Sequence, residues 1–588
     1  LALGLPAAEA VTLGAGAGAG PLAVADLAAF SDALNGAPTY ELLHLGPDGV
    51  QVFRADDVGA GMRLRFRGKK DNRQGIGAVV EVRAGAGYRR QLYRGATTIY
   101  GLGDAAYADV VRITWPNGVV QNELDVEKGT QILDTFGEQV EGLIGSCPFL
   151  YTWDGETYTF ISDVLGITPL GLPMAPGLLV PPDHDEYVLV RGDQLVPDDE
   201  GELVLQFTEE LREVTYLDRV RLDVVDHPVG TEVQPNERFC FPPFPPVRTH
   251  VMGTLLAPTR ATGSDGEDWT AALAAIDDVH ASPFAPLADP QLLGLAEPHW
   301  LELSFDPHQI AGAEELRLVC TGWFYWTDAS VNVAAARTPG VAFVPPVIEV
   351  PDEGGWRPIG PPVGFPAGKT KSMVLDLSQV LNREDPRLRI GSTLRLYWDS
   401  IRLAVGGDHP QRTTSLEPTG AHLWPRGFSQ PIEAEAEDLP ERFEWERMAD
   451  RPRWNQHPGR YTRFGEALPL VTEIDDLLVV MGAGDALTVR FDGDALPPVP
   501  EGWTRDYLVF LDGWAKDRDP NTVEALEVEP LPFHGMSGYP YGEDEAFPDT
   551  PAHREWRARW QTREAFEGVV PLSPRRLTEW AAGTFRAE

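Results

Sequence analysis

Apolar and polar residues alternate with a period of two along many short stretches of this chain. That spacing predicts strands with one buried face and one wet face. Between Arg63 and Leu133, Leu64 and Phe66 alternate with Arg63, Arg65 and Arg67, Val80 and Val82 with Glu81 and Arg83, and Val111 and Ile113 with Arg112 and Thr114. Pro116-Asn-Gly118 predicts a tight hairpin, because Asn-Gly supplies positive φ angles, and Gly75 and Gly77 predict a bend or a close backbone approach. Phe149, Tyr151 and Trp153 alternate ahead of Asp154-Gly155, and Tyr158 and Phe160 return, which predicts an aromatic hairpin. A second hairpin is expected around Pro47-Asp-Gly49. Further strands are expected at Leu203–Phe207, Tyr216–Val225, Trp300–Phe305, Leu316–Cys320, Val347–Val350, Ser372–Leu377, Thr393–Trp398, Leu477–Met481, Leu487–Phe491 and Tyr507–Leu511. Helices are expected only as short pieces, at Leu22–Leu34, at Asp268–Ile276 with Asp268 as N-cap, at about Pro551–Phe566 and near Leu577–Ala582.

The fold class that follows is mostly β and multidomain, built of antiparallel sandwich or barrel modules, jelly-roll-like, with few short helices. At 588 residues the chain exceeds what one core organises. Its 59 glycines and 52 prolines suit many turns between short strands. The pattern divides the chain into a flexible segment 1–37, a β domain 38–140, an aromatic hairpin-rich domain 141–228, a jelly-roll-like sandwich 229–410, and a covering segment with a final β unit and C-terminal helices over 411–588.

Asn72-Arg-Gln-Gly-Ile-Gly-Ala78, Gly101-Leu-Gly-Asp104 and Thr114-Trp-Pro-Asn-Gly118, in this order and spacing, resemble the ASPIC/UnbV domain of cartilage acidic protein, its bacterial relatives and proteins encoded with enediyne biosynthesis. Later phrases are similar to the long C-terminal extension of bacterial ASPIC-type proteins, among them Thr208-Glu-Glu-Leu-Arg-Glu-Val-Thr-Tyr-Leu-Asp218, Gly364-Phe-Pro-Ala-Gly-Lys369, Gly459-Arg-Tyr-Thr-Arg-Phe-Gly465 and Pro532-Phe-His-Gly-Met536. The resemblance implies an extracytoplasmic address, secreted or periplasmic, and supplies no catalytic residues. Relatives carry an FG-GAP propeller with Asp-rich calcium loops. No intact Asp-x-Asp-x-Asp-Gly loop stands here, so that propeller is not evident.

Charge narrows the partners. Asp and Glu number 89 against 49 Lys and Arg, a net charge of −40, which would repel nucleic acid and anionic membranes. No apolar run is long enough to span a bilayer, so no transmembrane segment is expected, although a place in a membrane-associated complex is compatible. Three cysteines, Cys147, Cys240 and Cys320, leave at least one thiol unpaired.

The candidate chemistry is modest. Asp183, His184 and Asp185 offer carboxylate and imidazole ligands, but neighbours on a strand alternate faces, so at most two reach one ion. Asp512, Asp517 and Asp519 read as an Asx-stabilised turn or, as the sharper reading, an oxygen cage for Ca2+ in a loop after a strand. Trp323, Tyr325, Trp326, Tyr397 and Trp398 could stack on sugar rings or simply fill a sandwich core. His534 stands isolated in the sequence. No nucleophile elbow, zinc-protease helix motif or phosphate loop is present.

The expectation is therefore a non-enzymatic, extracytoplasmic binding or scaffold protein making protein or glycan contacts, as an accessory subunit of a larger envelope complex. The alternatives are a calcium-dependent adhesion or matrix protein and an enzyme or tailoring factor in secondary metabolism.

Overall fold

The computed structural model describes the strands at 9–13, 22–25, 41–46 and 49–54, and residues 61–68, 73–116, 120–128, 131–132, 148–166, 169–245, 248–432, 440, 442–449, 454 and 456–565. The Gly14–Gly20 run, the Asn117-Gly118 turn, Cys147 and the helix expected near Leu577–Ala582 lie outside the described residues. The described residues are mostly β and fall into two compact units, one within Leu1–Glu141 and one within Gly142–Glu567.

In the first unit, Glu9–Leu13, Gly49–Arg54, Glu41–Gly46 and Leu22–Ala25 form an antiparallel sheet in that order, with Gly46 opposite Gly49 at the expected hairpin. Leu22–Ala25 is a strand, not the start of a helix. Its antiparallel pairing with Glu41–Gly46, Leu22 opposite His44 and Ala25 opposite Glu41, satisfies in a sheet the backbone groups that a helix would have satisfied internally. A second sheet runs Val120–Glu127, Tyr107–Thr114, Val79–Ala84 and Gly87–Leu92. Leu64, Phe66, Val80, Val82, Val111, Ile113 and Trp115 are buried, as their alternation predicts. The face expected to be wet is partly covered as well. Glu81 and Arg112 are buried directly opposite one another across the strands, with Arg112 donating to Asn122 at 2.9 Å and the Tyr88 hydroxyl donating to Glu81 at 2.5 Å. Gly75 sits at φ +62° where a Cβ would lie 2.9 Å from that of Phe66 and 3.1 Å from the Trp115 ring, so a close approach fixes this glycine.

The second unit contains two sandwiches. One packs an eight-stranded sheet, with Phe149–Trp153, Glu202–Thr208 and Asp485–Asp492 at its centre, against a five-stranded sheet built on the long antiparallel pair Val214–Pro228 and Trp503–Lys516. Phe207, Val220, Leu222, Leu487, Val489, Val509 and Leu511 fill the space between them. The other packs the sheet of Leu316–Phe324 and Leu396–Val405 against that of Leu295–Ser304 and Arg387–Leu394, around Leu301, Leu318, Met373, Ile390 and Leu403. The hairpin Glu232–Pro235 with Thr249–Met252 joins them. Val233 and Val251 pack on Val225 and Leu508 of the first sandwich, and Met252 packs on Val319, Val374 and Ala404 of the second.

Helices are minor. Asp268–Ile276 yields only a 3-10 turn at Ala271–Leu273: the Asp268 carboxylate accepts the amide and hydroxyl of Thr270, but the segment is too short to nucleate a helix alone. The tail helix runs Pro551–Arg559, capped by Thr550. Cys240 and Cys320 are free thiols. No helix among the described residues is long and apolar enough to cross a membrane.

One buried charge in the first sandwich sets a pH dependence. Burial pushes the Asp226 carboxyl up, but Arg505 at 2.7 Å and Arg412 at 3.0 Å outweigh it and leave the group below its ordinary range. A lowered carboxylate contributes stability above its unfolded pKa and loses it as pH falls through the folded value. Asp226→Asn should cost about 2 kcal/mol at neutral pH, and urea melts should show the deficit closing as the pH drops below the ordinary carboxylate range.

Candidate functional site

The residues with metal-ligand chemistry come together where the two longest strands of the second unit cross the entrance of Asp185–Val190. Asp185 pairs with Asp512, and the Gly513 amide donates to the His184 carbonyl at 2.7 Å, which sets the His184 side chain beside Asp512. Across the sheet, Leu217 faces Gly513 but Arg219 faces Asp512, so Asp218 is the extra residue of a β-bulge. Such a bulge re-aims its side chain. The crossing is tight at Gly513, where a Cβ would lie 2.3 Å from the Tyr216 carbonyl.

Around this crossing, Asp512 bridges two histidines. Its carboxylate lies 3.0 Å from Nδ1 of His184 and 2.8 Å from Nε2 of His534. The other nitrogen of His534 lies 2.7 Å from Asp476, whose same oxygen accepts the His534 amide at 3.0 Å. Asp218 accepts the amides of Asp475 and Asp476 at 3.0 and 2.9 Å through one oxygen, while the other is buried without a hydrogen-bond partner. The imidazole rings meet edge to face with centroids 4.7 Å apart, and Trp514 lies 4.9 Å from that of His534.

The electrostatics follow from this geometry. Burial alone would lower the His534 pKa, but hydrogen bonds to Asp476 and Asp512 carry it up to about 10. Burial raises Asp512, and the two histidines more than reverse that. His184 is raised by its hydrogen bond to Asp512. Desolvation pushes Asp218 up to about 7.

Of the expected ligands, His184 and Asp512 are brought together and the others are not. Asp183 and Asp185 flank His184 in the chain, and burial and then Asp185 push Asp183 up to about 6. Asp512 lies inside the strand Trp503–Lys516, not in a loop after it. Asp517 and Asp519 follow the strand end and face Arg212, at 2.6 and 3.6 Å. The calcium cage therefore does not assemble from these three carboxylates, because a guanidinium fills the space between two of them. His534, Asp476 and Asp218 were not joined to the site by sequence reasoning. Their partners arrive through sheet pairing and a bulge, neither of which leaves a local signature.

The aromatic candidates are packed. Trp323 and Tyr397 are opposed across neighbouring strands and stack with centroids 4.4 Å apart and rings 7° from parallel. Trp398 faces the core, Trp326 is half-buried against it, and Tyr325 is half-buried beneath the Arg395 guanidinium, 4.3 Å from the ring centre. A cleft of about 650 Å3 opens elsewhere on the second sandwich, lined in part by Pro298, His299, Trp300, Val347, Glu349 and Thr393. His299 Nδ1 lies 3.0 Å from the Glu297 carbonyl, and burial lowers its pKa, so a neutral ring donates from Nδ1 and keeps Nε2 as an acceptor.

Fold and site together define a β-sandwich protein whose ligand-type residues lie in its second unit. Residues 68–134, in the first unit, match the family described as ASPIC and UnbV, and the chain thus carries an ASPIC/UnbV domain. No curated protein and no solved structure matches the chain.

Proposed function

We propose that this protein is a non-enzymatic, extracytoplasmic binding protein that takes a neutral glycan in the cleft of its second sandwich. The cleft carries the reading. At about 650 Å3 it lies within the size range of small-ligand sites, and its lining joins apolar surface to hydrogen-bond acceptors. Pro298, Val347 and the part of Trp300 not covered by the Arg389 guanidinium, 3.9 Å from its ring centre, offer the apolar area that one face of a pyranose covers. Glu297, Glu349 and the free nitrogen of His299 offer acceptors suited to hydroxyl donors. The acidic surface, with a net charge of −40, favours a neutral ligand over an anionic one.

A panel of neutral oligosaccharides titrated calorimetrically into the full chain tests this. At least one should bind, and Trp300→Ala should weaken it about tenfold, the loss of roughly 1.4 kcal/mol of ring contact. Glu349→Gln, a milder change, should weaken it less while leaving the melting temperature alone. Absence of binding across the panel, or equal affinity in both variants, would count against the proposal.

A further inference from the structure

We infer that His184, Asp512 and His534 form a site for a divalent transition-metal ion such as zinc, with Asp476 orienting His534 from behind. The site is separate from the glycan cleft and does not depend on it. One ligand atom from each of the three residues lies within 4.8 Å of the other two. Ligands about 2.0–2.2 Å from a tetrahedral ion stand roughly 3–3.5 Å from one another. The two Asp512 oxygens are already 3.0 and 2.8 Å from the two imidazole nitrogens, so the three side chains would seat the ion by turning toward one another without any movement of the strands.

The arrangement behind His534 distinguishes this cluster from a simple hydrogen-bonded pair. Its Nδ1 is committed to Asp476 at 2.7 Å, which leaves Nε2, 2.8 Å from Asp512, as the nitrogen that would give up its proton to an incoming ion. Metal-binding histidines are commonly held in this way by a carboxylate on the ring nitrogen remote from the ion. Asp218 adds a buried oxygen without a partner, and its other oxygen lies 3.6 Å from His534 Nδ1. A cation nearby would offset the cost of that buried acceptor. Access is open through His184, whose side chain is 42% exposed.

The donor set selects the ion. Two imidazoles and one carboxylate suit zinc, iron, cobalt or nickel, whereas calcium and magnesium take oxygen ligands in larger number. The ligands come from the entrance of Asp185–Val190, from the strand Trp503–Lys516 and from the Pro532-Phe-His-Gly535 loop. A bound ion would clamp three distant segments and raise the melting temperature by linkage.

The test is calorimetric titration of the chelator-stripped full chain with zinc sulfate, and separately with calcium chloride, followed by thermal melts. One zinc per chain and a raised melting temperature are expected, with no response to calcium. Asp476→Asn should weaken zinc binding about 10- to 100-fold. His184→Ala should weaken it at least as much, with a modest drop in the ion-free melting temperature from the lost hydrogen bond to Asp512. The inference is overturned if the native chain takes no zinc, if calcium competes at equal concentration, or if His184→Ala binds zinc as the native chain does. Because His184 lies at the open edge of the site, with its side chain 42% exposed, that last variant decides the matter even should His534→Ala fail to fold.

Discussion

Replacing Arg212 with Met should destabilise the second unit by about 3–5 kcal/mol, the usual cost of leaving buried carboxylates without their cation. The guanidinium donates from Nε to Asp517 at 2.6 Å and from Nη2 to the same carboxylate at 3.0 Å. It also stands 3.5 Å from Asp328 and 3.6 Å from Asp519. Asp328 caps the helix Ala329–Arg337, its carboxylate accepting the Val331 amide at 2.9 Å. One side chain thus ties the end of the strand Trp503–Lys516 in the first sandwich to a helix N-terminus in the second. Desolvation already holds Asp517 and Asp519 above the ordinary carboxylate range, so removing the guanidinium they share raises both further. The deficit of Arg212→Met should therefore be largest at neutral and alkaline pH, and should shrink in acid as the carboxylates take up protons. Urea melts across the pH range measure it. Asp517→Asn in the same chain should restore part of the loss, since it removes one of the stranded charges. Equal stability of Arg212→Met and the native chain at pH 8 would show that the cluster is solvated and carries no weight.

How much of this was legible in the sequence depends on distance along the chain. Alternation reports which residues of a strand share a face, and it placed Leu64, Phe66, Val80, Val111 and Ile113 inside correctly. It says nothing about which strand comes alongside. Asp185–Val190 pairs with Tyr507–Asp512, more than three hundred residues away, and Glu202–Thr208 pairs with Asp485–Asp492. His184 and Asp512 each had legible ligand chemistry, but their meeting follows from that pairing and could not be read from either neighbourhood. His534 looked isolated for the same reason. Asp512, Asp517 and Asp519 looked like one loop because the strand was expected to stop at Leu511. It runs on to Lys516, whose ammonium donates to the Val528 and Glu529 carbonyls and to the Tyr539 hydroxyl. Short-range propensity also misled at Asp268–Ile276, where an alanine-rich run suggested a helix but a segment this short closes only one 3-10 turn.

Trp323→Ala should be as costly as the loss of Arg212, about 3–5 kcal/mol for truncating a large buried aromatic. Trp323 is only 2% exposed and stacks on Tyr397, itself 4% exposed, so neither ring has a face to offer a sugar. The pair lies on the side of its sheet opposite the main core, where Phe284 meets Tyr397 edge-on at 5.1 Å and Arg395 stands 6.0 Å from the Tyr397 ring. Removing the indole would open a void against that layer and end a cross-strand contact between opposed residues. Stability and binding should therefore separate. In urea melts Trp323→Ala should shift the midpoint strongly, while the folded fraction at low temperature keeps the native affinity for any glycan taken by the cleft. Trp300→Ala should cost mainly binding, with a smaller shift of the midpoint from the loss of the Arg389 guanidinium stacked on its ring. If Trp323→Ala instead abolished binding with its melting curve unchanged, the aromatic run would be the ligand surface after all, and the cleft at Trp300 would lose its assignment.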